Sequence, residues 1–287
     1  MDFPLLEKTL QLRMVYPASG SNYPVIVFSH GNGCSQANYA GLADHWASWG
    51  YVVLQPVHMD SRDLGFSMKG KSLQQMNEVV ESRRADVRFV VDSLGYLTQK
   101  LPDFVGKPDA DRLVSAGHSM GGGTAMVLTG VEMENPRDQS IMKSDEYRFD
   151  LLLLITEPGN NRMMPAEPWR YARVPSFVAT GSKDYSMAGA RAGEKSDLSW
   201  QIPENAAVQD QPRWYLNVDG ADHFLGGLIC KENVPGPQDY AALEMFNGAS
   251  TAFLDAYLKG DAEAQSFLMQ GDIASLTDDR ASLENLQ

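Results

Sequence analysis

The sequence is poor in cysteine and in positive charge, and it has no long hydrophobic run. Cys34 and Cys230 are its two cysteines, too few for a disulfide-rich scaffold or a four-cysteine zinc site. We expect two free, mostly buried thiols, although the two residues could pair. The longest apolar run, at 151–155, is far shorter than the roughly 18 residues that a membrane-spanning helix needs. The sequence therefore predicts neither a disulfide framework nor a membrane span.

The charge balance is strongly acidic. Lysine and arginine number 24 against 37 aspartates and glutamates, which gives a formal net charge of −13. A nucleic-acid-binding protein needs a concentrated basic face, so we expect no nucleic-acid partner. The first residues, Met1 to Pro4, lack the charged and then apolar pattern of a secretory signal. We therefore expect a cytoplasmic protein, or a secreted or periplasmic one if a signal peptide has been removed.

Six short apolar runs flanked by turn residues predict β-strands. They lie at 25–28, 51–54, 112–115, 151–155, 176–179 and 214–218. Their apolar character is continuous rather than alternating, which is typical of strands buried on both faces of a parallel sheet. Segments with helical spacing lie between and after them, at 37–49, 73–97 and 240–258. We therefore predict one α/β domain over residues 1–287, with a mostly parallel, doubly wound sheet flanked by helices.

Two loops are longer than a minimal fold of this kind needs. They cover residues 131–148 and 181–212, and long loops in compact domains are often lids or pocket walls. The predicted helix at 73–97 also carries charges of both signs. Such mixed spacing predicts a solvated or ion-paired face rather than a binding patch.

The sharpest chemical signal is the Gly-His-Ser-Met-Gly motif at 117–121. It follows a predicted strand and begins a predicted helix, which is the context in which a Gly-x-Ser-x-Gly motif forms a nucleophile elbow. The serine of such an elbow projects from a tight turn, so the positions two residues before and after it must lack bulk. A helix that begins beside the serine also favours an oxyanion. We therefore predict that Ser119 is a catalytic nucleophile.

A serine hydroxyl needs a base, and elimination indicates one histidine. The chain has five histidines, and His223 alone follows Ser119 in sequence. It lies in a short loop after the last predicted strand. The partner of this imidazole should be a carboxylate that lies between the two in sequence. Asp184 follows the strand at 176–179, at the carboxyl end where ligands collect in open α/β sheets. Glu157, one strand earlier, is the alternative acid.

Two backbone N–H groups are predicted to bind the oxyanion. Met120 supplies one because it directly follows the serine at the start of the helix. Asn32 supplies the other, in the Ser-His-Gly-Asn-Gly segment at 29–33 that follows the first core strand. The glycines on either side of Asn32 permit a close approach of backbone to substrate.

Several blocks of this sequence resemble the dienelactone-hydrolase-like group of the α/β-hydrolase superfamily. Within that group the chain is similar to platelet-activating-factor acetylhydrolases and to bacterial cutinase-like polyester hydrolases. The matching blocks lie at 27–33, 50–53, 84–87, 117–123, 181–184 and 220–223. The resemblance implies an α/β-hydrolase fold and a carboxylic-ester hydrolase that needs neither metal nor cofactor. It implies a triad and an oxyanion hole made of the residues already named: Ser119, Asp184, His223, Asn32 and Met120.

This sequence departs from these relatives at two places, and both departures narrow the expected activity and substrate. Dienelactone hydrolases themselves use a cysteine nucleophile, so the serine at 119 argues against that activity. Polyester hydrolases carry a tryptophan just after the strand that matches 151–155, where this chain reads Thr-Glu-Pro-Gly. The expected substrate is thus a small-molecule ester, with a polymeric ester as the less favoured form.

Other functions on the same residues stay open. A thioesterase, an amidase or an acyltransferase would use the same triad. A thioesterase for coenzyme A esters would want a basic rim, for which Arg162, Arg170, Arg173 and Lys183 are available. A non-catalytic binding member of the fold is the distant alternative, and it predicts a broken triad, whereas each triad position here is filled.

Overall fold

A computed structural model gives the arrangement of most of the chain. It describes residues 9–67, 69–135, 137–143, 146–156, 165, 168–184 and 211–286. Glu157 and most of the long loop at 181–212 therefore lie outside the described residues. Within the described ranges, no helix combines the length and the apolar character that crossing a bilayer requires.

One eight-stranded sheet organises the molecule. Its strands are β1 (Leu12–Val15), β2 (Tyr23–Ser29), β3 (Val52–Pro56), β4 (Pro108–His118), β7 (Phe149–Ile155), β8 (Ser176–Gly181), β9 (Arg213–Val218) and β10 (Ala281–Asn285). They lie side by side in the order β1-β3-β2-β4-β7-β8-β9-β10. The strands from β3 to β9 are parallel, while β1 and β10 close the two edges as antiparallel strands. All six predicted strands are present, and the predicted doubly wound, mostly parallel sheet is confirmed.

Helices cover both faces of this sheet. They are α1 (Ala40–Ser48), α2 (Leu73–Asp92), α3 (Leu94–Lys100), α4 (Met120–Leu128), α5 (Tyr240–Leu254), α6 (Ala262–Gln270) and α7 (Ile273–Leu276). Ser72 begins α2 with a capping box in which its hydroxyl accepts from the Gln75 N–H and the Gln75 side chain accepts from the Ser72 N–H. The predicted helix at 73–97 is thus two helices, because the chain turns at Ser93 between α2 and α3.

The core follows from the alternation of side chains along each buried strand. In β2, Ile26 and Phe28 face one cluster together with Trp46 of α1 and Phe253 of α5. Val25 and Val27 face the other side of the sheet, where side chains of α2 and α3 pack. Since both faces are covered, a central strand is apolar at nearly every position, which is why the runs in the sequence are continuous.

Several charged residues of α2 form ion pairs, which is one of the two alternatives that the sequence predicts. Arg84 pairs with Glu81 on the same helix, with 2.9 Å between their nitrogen and oxygen atoms. Arg83 pairs with Asp60 in the loop after β3, and both side chains are fully buried. Sequence spacing alone does not reveal that Arg83 lies in the interior.

The loop at 131–148, one of the two candidate lid or pocket loops, connects α4 to β7. It begins after α4 and ends at the first residue of β7, so it lies at the amino ends of the parallel strands. Ser119 follows the carboxyl end of β4, at the opposite edge of the sheet. The loop carries a small ribbon of β5 (Met133–Glu134) and β6 (Ile141–Met142), so its described part begins and ends on the side of the sheet opposite Ser119.

The expectation of free thiols is wrong. Cys34 and Cys230 form a disulfide, with their Cα atoms 5.1 Å apart and thus within the usual range for such a bond. Cys34 lies in the loop after β2 and Cys230 in the loop after β9, and both loops leave the carboxyl edge of the sheet. The sheet brings together two residues that lie 196 positions apart in sequence, a contact that spacing could not predict.

We expect thiol titration of the denatured, unreduced protein to find no free cysteine, and two after reduction. Because the bond closes a very long loop in the unfolded chain, replacing both cysteines by serine should lower the free energy of unfolding by roughly 2–5 kcal/mol. Chemical denaturation of the two proteins measures this difference. Two reactive thiols in the unreduced, denatured protein would contradict the pairing.

Candidate active site

Ser119 lies on a sharp turn between β4 and α4. Its backbone angles are φ 53° and ψ −121°, a left-handed conformation that costs a non-glycine residue of order 1–3 kcal/mol and is concentrated at functional sites. Two backbone bonds hold the turn: the Ser119 N–H donates to the Thr156 carbonyl at 3.0 Å, and the Gly123 N–H donates to the Ser119 carbonyl at 3.1 Å. The predicted strand, turn and helix around Ser119 are therefore present, with the residue itself partly exposed.

The glycines of the motif are required by close backbone contacts. A Cβ atom on Gly121 would lie 2.0 Å from the Ser29 carbonyl oxygen, and one on Gly117 would lie 2.3 Å from the Gly121 carbonyl. Real Cβ atoms do not approach backbone so closely, so a side chain at 121 would push α4 away from β2, and one at 117 would push α4 away from β4. These contacts place the turn carrying Ser119 directly beside the loop that follows β2.

Asp184 and His223 form a buried pair at the same edge of the sheet. The distance between His223 Nδ1 and Asp184 Oδ1 is 2.7 Å, and both side chains are almost fully buried. The second carboxylate oxygen of Asp184 accepts a hydrogen bond from the Thr180 hydroxyl at 2.9 Å. Since an ionised carboxylate only accepts hydrogen bonds, Nδ1 of His223 carries the proton and Nε2 is left as the basic nitrogen.

Neighbours of Ser119 hold the loop that carries His223. The His118 ring lies 3.0 Å from the His223 carbonyl oxygen through its Nε2 atom, and the two imidazole centroids are 4.8 Å apart. The Thr156 hydroxyl also donates to that carbonyl, at 3.4 Å. His118 directly precedes Ser119, and the Thr156 carbonyl accepts from the Ser119 N–H. The loop that carries His223 is therefore anchored to the turn that carries Ser119.

His118 acts as a neutral connector between two loops. Burial, followed by the nearby His223, lowers the pKa of His118 well below its usual value. A neutral ring that donates from Nε2 to a carbonyl must accept at Nδ1, and the Tyr39 hydroxyl lies 2.8 Å from that atom. The Gly31 N–H donates in turn to the Tyr39 oxygen at 2.8 Å. A chain of hydrogen bonds thus runs from the loop after β2 to the loop after β9.

The two predicted oxyanion donors are the backbone N–H groups of Asn32, in the loop after β2, and of Met120, directly after Ser119. Asn32 is exposed, and Met120 is the first residue of α4, where backbone N–H groups have no partner within the helix. Neither N–H has a hydrogen-bond acceptor among the described residues. Both are therefore available to an anion, which is the property that an oxyanion site needs.

Three positions that support this arrangement carry no recognisable sequence signal. Thr156 has φ 45° and is buried, although a β-branched residue rarely adopts such a backbone. Thr180 and Tyr39 are ordinary strand and helix residues by composition. Each is revealed only by its hydrogen bonds to Ser119, Asp184 or His118.

Of the four basic residues considered for a coenzyme-binding rim, the structure places Arg173 away from Ser119 and Lys183 on the same side as Ser119. Arg173 precedes β8, so it lies at the opposite edge of the sheet, and it donates to the Glu146 carbonyl at 2.7 Å. It lines a cavity of about 240 Å³ there, together with Gly130 and Tyr171. Lys183 follows β8 and lies at the Ser119 edge, while Arg162 and the side chain of Arg170 lie outside the described residues.

Within the same described ranges, no three side chains of the metal-ligating types histidine, cysteine, aspartate and glutamate lie close enough to hold a metal ion.

The chain is similar in sequence to one protein family and to two known proteins. A family model described as Chlorophyllase matches residues 5–138. A platelet-activating factor acetylhydrolase from Canis lupus familiaris is 23% identical over 88% of this chain, and the match spans 62% of that relative's length. A cutinase from Thermobifida alba is 22% identical over 92% of this chain and 69% of its own length. The first of these relatives is thus matched over less than two thirds of its length.

Proposed function

Because the chain has the α/β-hydrolase fold, we propose that it is a serine carboxylic-ester hydrolase with Ser119, His223 and Asp184 as its triad. The observation that carries the proposal is the buried Asp184–His223 pair, whose nitrogen and oxygen atoms are 2.7 Å apart. The loop of His223 is hydrogen-bonded to His118 and Thr156, beside the strained turn of Ser119. A serine, a histidine and a carboxylate in this relation are the parts that acyl transfer needs. The similarity to an acetylhydrolase and a cutinase favours the same class of reaction.

Acylation begins when Ser119 Oγ attacks the ester carbonyl carbon while His223 Nε2 takes the hydroxyl proton. Asp184 stabilises the resulting imidazolium through Nδ1–H. The former carbonyl oxygen becomes negative and is bound by the N–H groups of Asn32 and Met120. The carbon–oxygen bond to the alcohol then breaks, His223 returns its proton to the leaving alkoxide, and the acyl group stays on Ser119.

Deacylation repeats these steps with water. His223 Nε2 takes a proton from a water molecule while the water oxygen attacks the acyl-enzyme carbonyl carbon. The N–H groups of Asn32 and Met120 bind the second oxyanion. When the tetrahedral intermediate collapses, the proton passes from His223 to Ser119 Oγ and the carboxylic acid leaves. Neither step needs a metal or an organic cofactor.

A small ester is the substrate class that the site favours over an aromatic polymer. The first residue after β7 is Thr156, a buried side chain whose hydroxyl is bonded to the histidine loop. It offers no aromatic wall at the place where polyester hydrolases carry tryptophan. The remaining candidate for a pocket wall is the loop at 181–212, which leaves the sheet at the edge where Asp184 lies.

The test is a substrate panel measured with purified protein. We expect p-nitrophenyl esters from acetate to palmitate to be hydrolysed in a Ser119-dependent manner, with the optimal chain length reporting the size of the acyl pocket. The matched thioester and p-nitroanilide should be turned over more slowly, since Arg173 lies at the opposite edge of the sheet and contributes no positive charge for a coenzyme beside Ser119. Turnover of the thioester or the anilide without ester hydrolysis would contradict the proposal.

A further inference from the structure

Arg83 of α2 reaches the loop that carries Asn32 from inside the protein. Its Nη1 atom donates to the His30 carbonyl at 2.7 Å and its Nη2 atom to the Gly31 carbonyl at 3.3 Å. Its Nε and Nη2 atoms also bind the two carboxylate oxygens of Asp60, at 2.8 and 2.7 Å. Both side chains of this ion pair are fully buried. The guanidinium thus joins a carboxylate to two consecutive backbone carbonyls.

Stability alone does not account for this pair. Removing two charges from water is costly, and buried ion pairs can often be replaced by apolar residues of similar size without loss of stability. Burial tends to raise the pKa of Asp60, but the Arg83 guanidinium outweighs this and holds the pKa below its usual value. Asp60 is therefore ionised at neutral pH, and the charge of Arg83 is matched. Such a pair can instead specify one conformation of the groups that it binds.

The His30 ring also binds the Gly31 carbonyl. Its Nε2 atom accepts from the His58 N–H at 2.9 Å, so a neutral ring carries its proton on Nδ1 and donates it to the Gly31 carbonyl at 2.7 Å. Burial, followed by Arg83, lowers the pKa of His30 well below its usual value, which keeps the ring neutral. The Cys34 N–H, 3.1 Å away, closes a turn onto the same carbonyl.

The direction of the Gly31 carbonyl decides where the Asn32 N–H points. These two groups belong to one planar trans peptide, in which C=O and N–H point in opposite directions. The carbonyl faces Arg83 and His30 in the interior, and Asn32 is exposed. The preceding His30–Gly31 peptide is also fixed at both ends. Its carbonyl accepts from Arg83, and its N–H donates to the Tyr39 hydroxyl oxygen. The Asn32 N–H is left without an acceptor among the described residues.

We propose that Arg83, supported by Asp60, is a positioning residue that presets the Gly31–Asn32 peptide so that the Asn32 N–H faces the oxyanion. The inference rests on the proposed esterase function and adds to it a control of transition-state binding from the far side of the loop. A fixed donor needs no reorganisation when the oxyanion forms, and such preorganisation is where oxyanion sites gain their effect. The role is separate from substrate binding, because Arg83 is buried.

The main variant removes both charges at once, Asp60→Leu together with Arg83→Met, so that no unpaired charge stays buried. Losing one oxyanion donor costs about 10²–10³-fold in kcat, so a donor that is present but no longer fixed should cost about 10–100-fold. KM should stay within about twofold of the wild-type value, because the interaction exists only in the transition state. Affinity for an alkyl boronic acid, which forms a tetrahedral adduct on the serine, should fall in parallel with kcat/KM.

Two further variants separate positioning from charge or packing. Arg83→Lys keeps the positive charge beside Asp60 but cannot span both carbonyls, so kcat should fall as in the double variant. Arg84→Met removes the neighbouring arginine, which pairs with Glu81 and does not contact the loop, and it should retain wild-type kinetics. All variants are compared after circular dichroism and thermal unfolding show a folded protein.

The outcomes are distinguishable. Wild-type kcat in the folded double variant, or in Arg83→Lys, would overturn the positioning role while leaving the esterase proposal intact. If these variants do not fold, a crystal structure of the wild-type protein with the boronic acid decides, since the Asn32 nitrogen must lie about 3 Å from a boronate oxygen. An Asn32 N–H that points elsewhere overturns the inference. Absence of Ser119-dependent hydrolysis in the wild type would instead refute the proposed function.

Discussion

Replacing Ser119 with alanine should lower kcat for ester hydrolysis on the order of 10⁶-fold, as expected when the nucleophile of a serine hydrolase is removed. Without Oγ no acyl-enzyme forms, and the remaining rate reflects only substrate binding and the oxyanion donors. The measurement is steady-state turnover of a p-nitrophenyl ester with enough enzyme to detect the residual rate. A fluorophosphonate probe should label residue 119 of the wild type, identified by peptide mass spectrometry, and leave the variant unlabelled.

A matched control for this substitution is Ser48→Ala. Ser48 ends α1, and its exposed hydroxyl donates to the His45 carbonyl on the same helix, so its loss should leave turnover unchanged. Thermal unfolding of both variants checks that the fold is kept. If the Ser119→Ala protein retained more than about a tenth of the wild-type rate, Ser119 would not be the nucleophile that the mechanism requires.

Replacing Asp184 with asparagine should lower kcat on the order of 10⁴-fold while the fold is preserved, the size expected when a triad carboxylate is lost to its amide. The amide oxygen can keep the hydrogen bond from Thr180, which turns the amide NH₂ toward His223. An imidazole that accepts at Nδ1 carries its proton on Nε2 and cannot take one from Ser119. Steady-state kinetics across pH, with thermal unfolding as the check on folding, measure the effect.

Asp219→Asn provides the control for this second substitution. Asp219 is an aspartate of the same region that bonds the Ser182 hydroxyl and does not contact His223, so kcat should change little. An unaffected rate in Asp184→Asn would transfer the role of the acid to Glu157, the alternative weighed from the sequence. In that case Glu157→Gln should show the large loss instead.

The central sheet could be predicted because its physics is local. Each inner strand is buried on both faces, so it reads as a continuous apolar run between turn residues. The edge strands β1 and β10 are largely half-buried to exposed and antiparallel, and they lack such runs. They could not be recognised because partner pairing, rather than composition, makes them strands.

Some residues of the candidate site could likewise be predicted from the sequence, and others could not. Ser119, Asp184 and His223 could be named from chain order, since each follows a predicted strand at one edge of a parallel sheet. The role of Arg83 could not be predicted, because α2 carries several charged residues at regular spacing. Only the position of Asp60 in the folded protein decides which of these residues is buried. The positive φ of Thr156 and the disulfide of Cys34 likewise depend on where distant segments come to lie.

The hydrogen bond from the Ser119 N–H to Thr156 has a consequence for biosynthesis. The Thr156 N–H is bonded in turn to the Ala179 carbonyl of β8, so the strained turn is braced by strands that leave the ribosome after it. The first half of the chain, which the family model matches, contains the serine and the Asn32 loop but neither Asp184 nor His223. In the proposed mechanism, a nascent chain of that length would carry Ser119 without its base His223, so the serine would become reactive only once the sheet is complete.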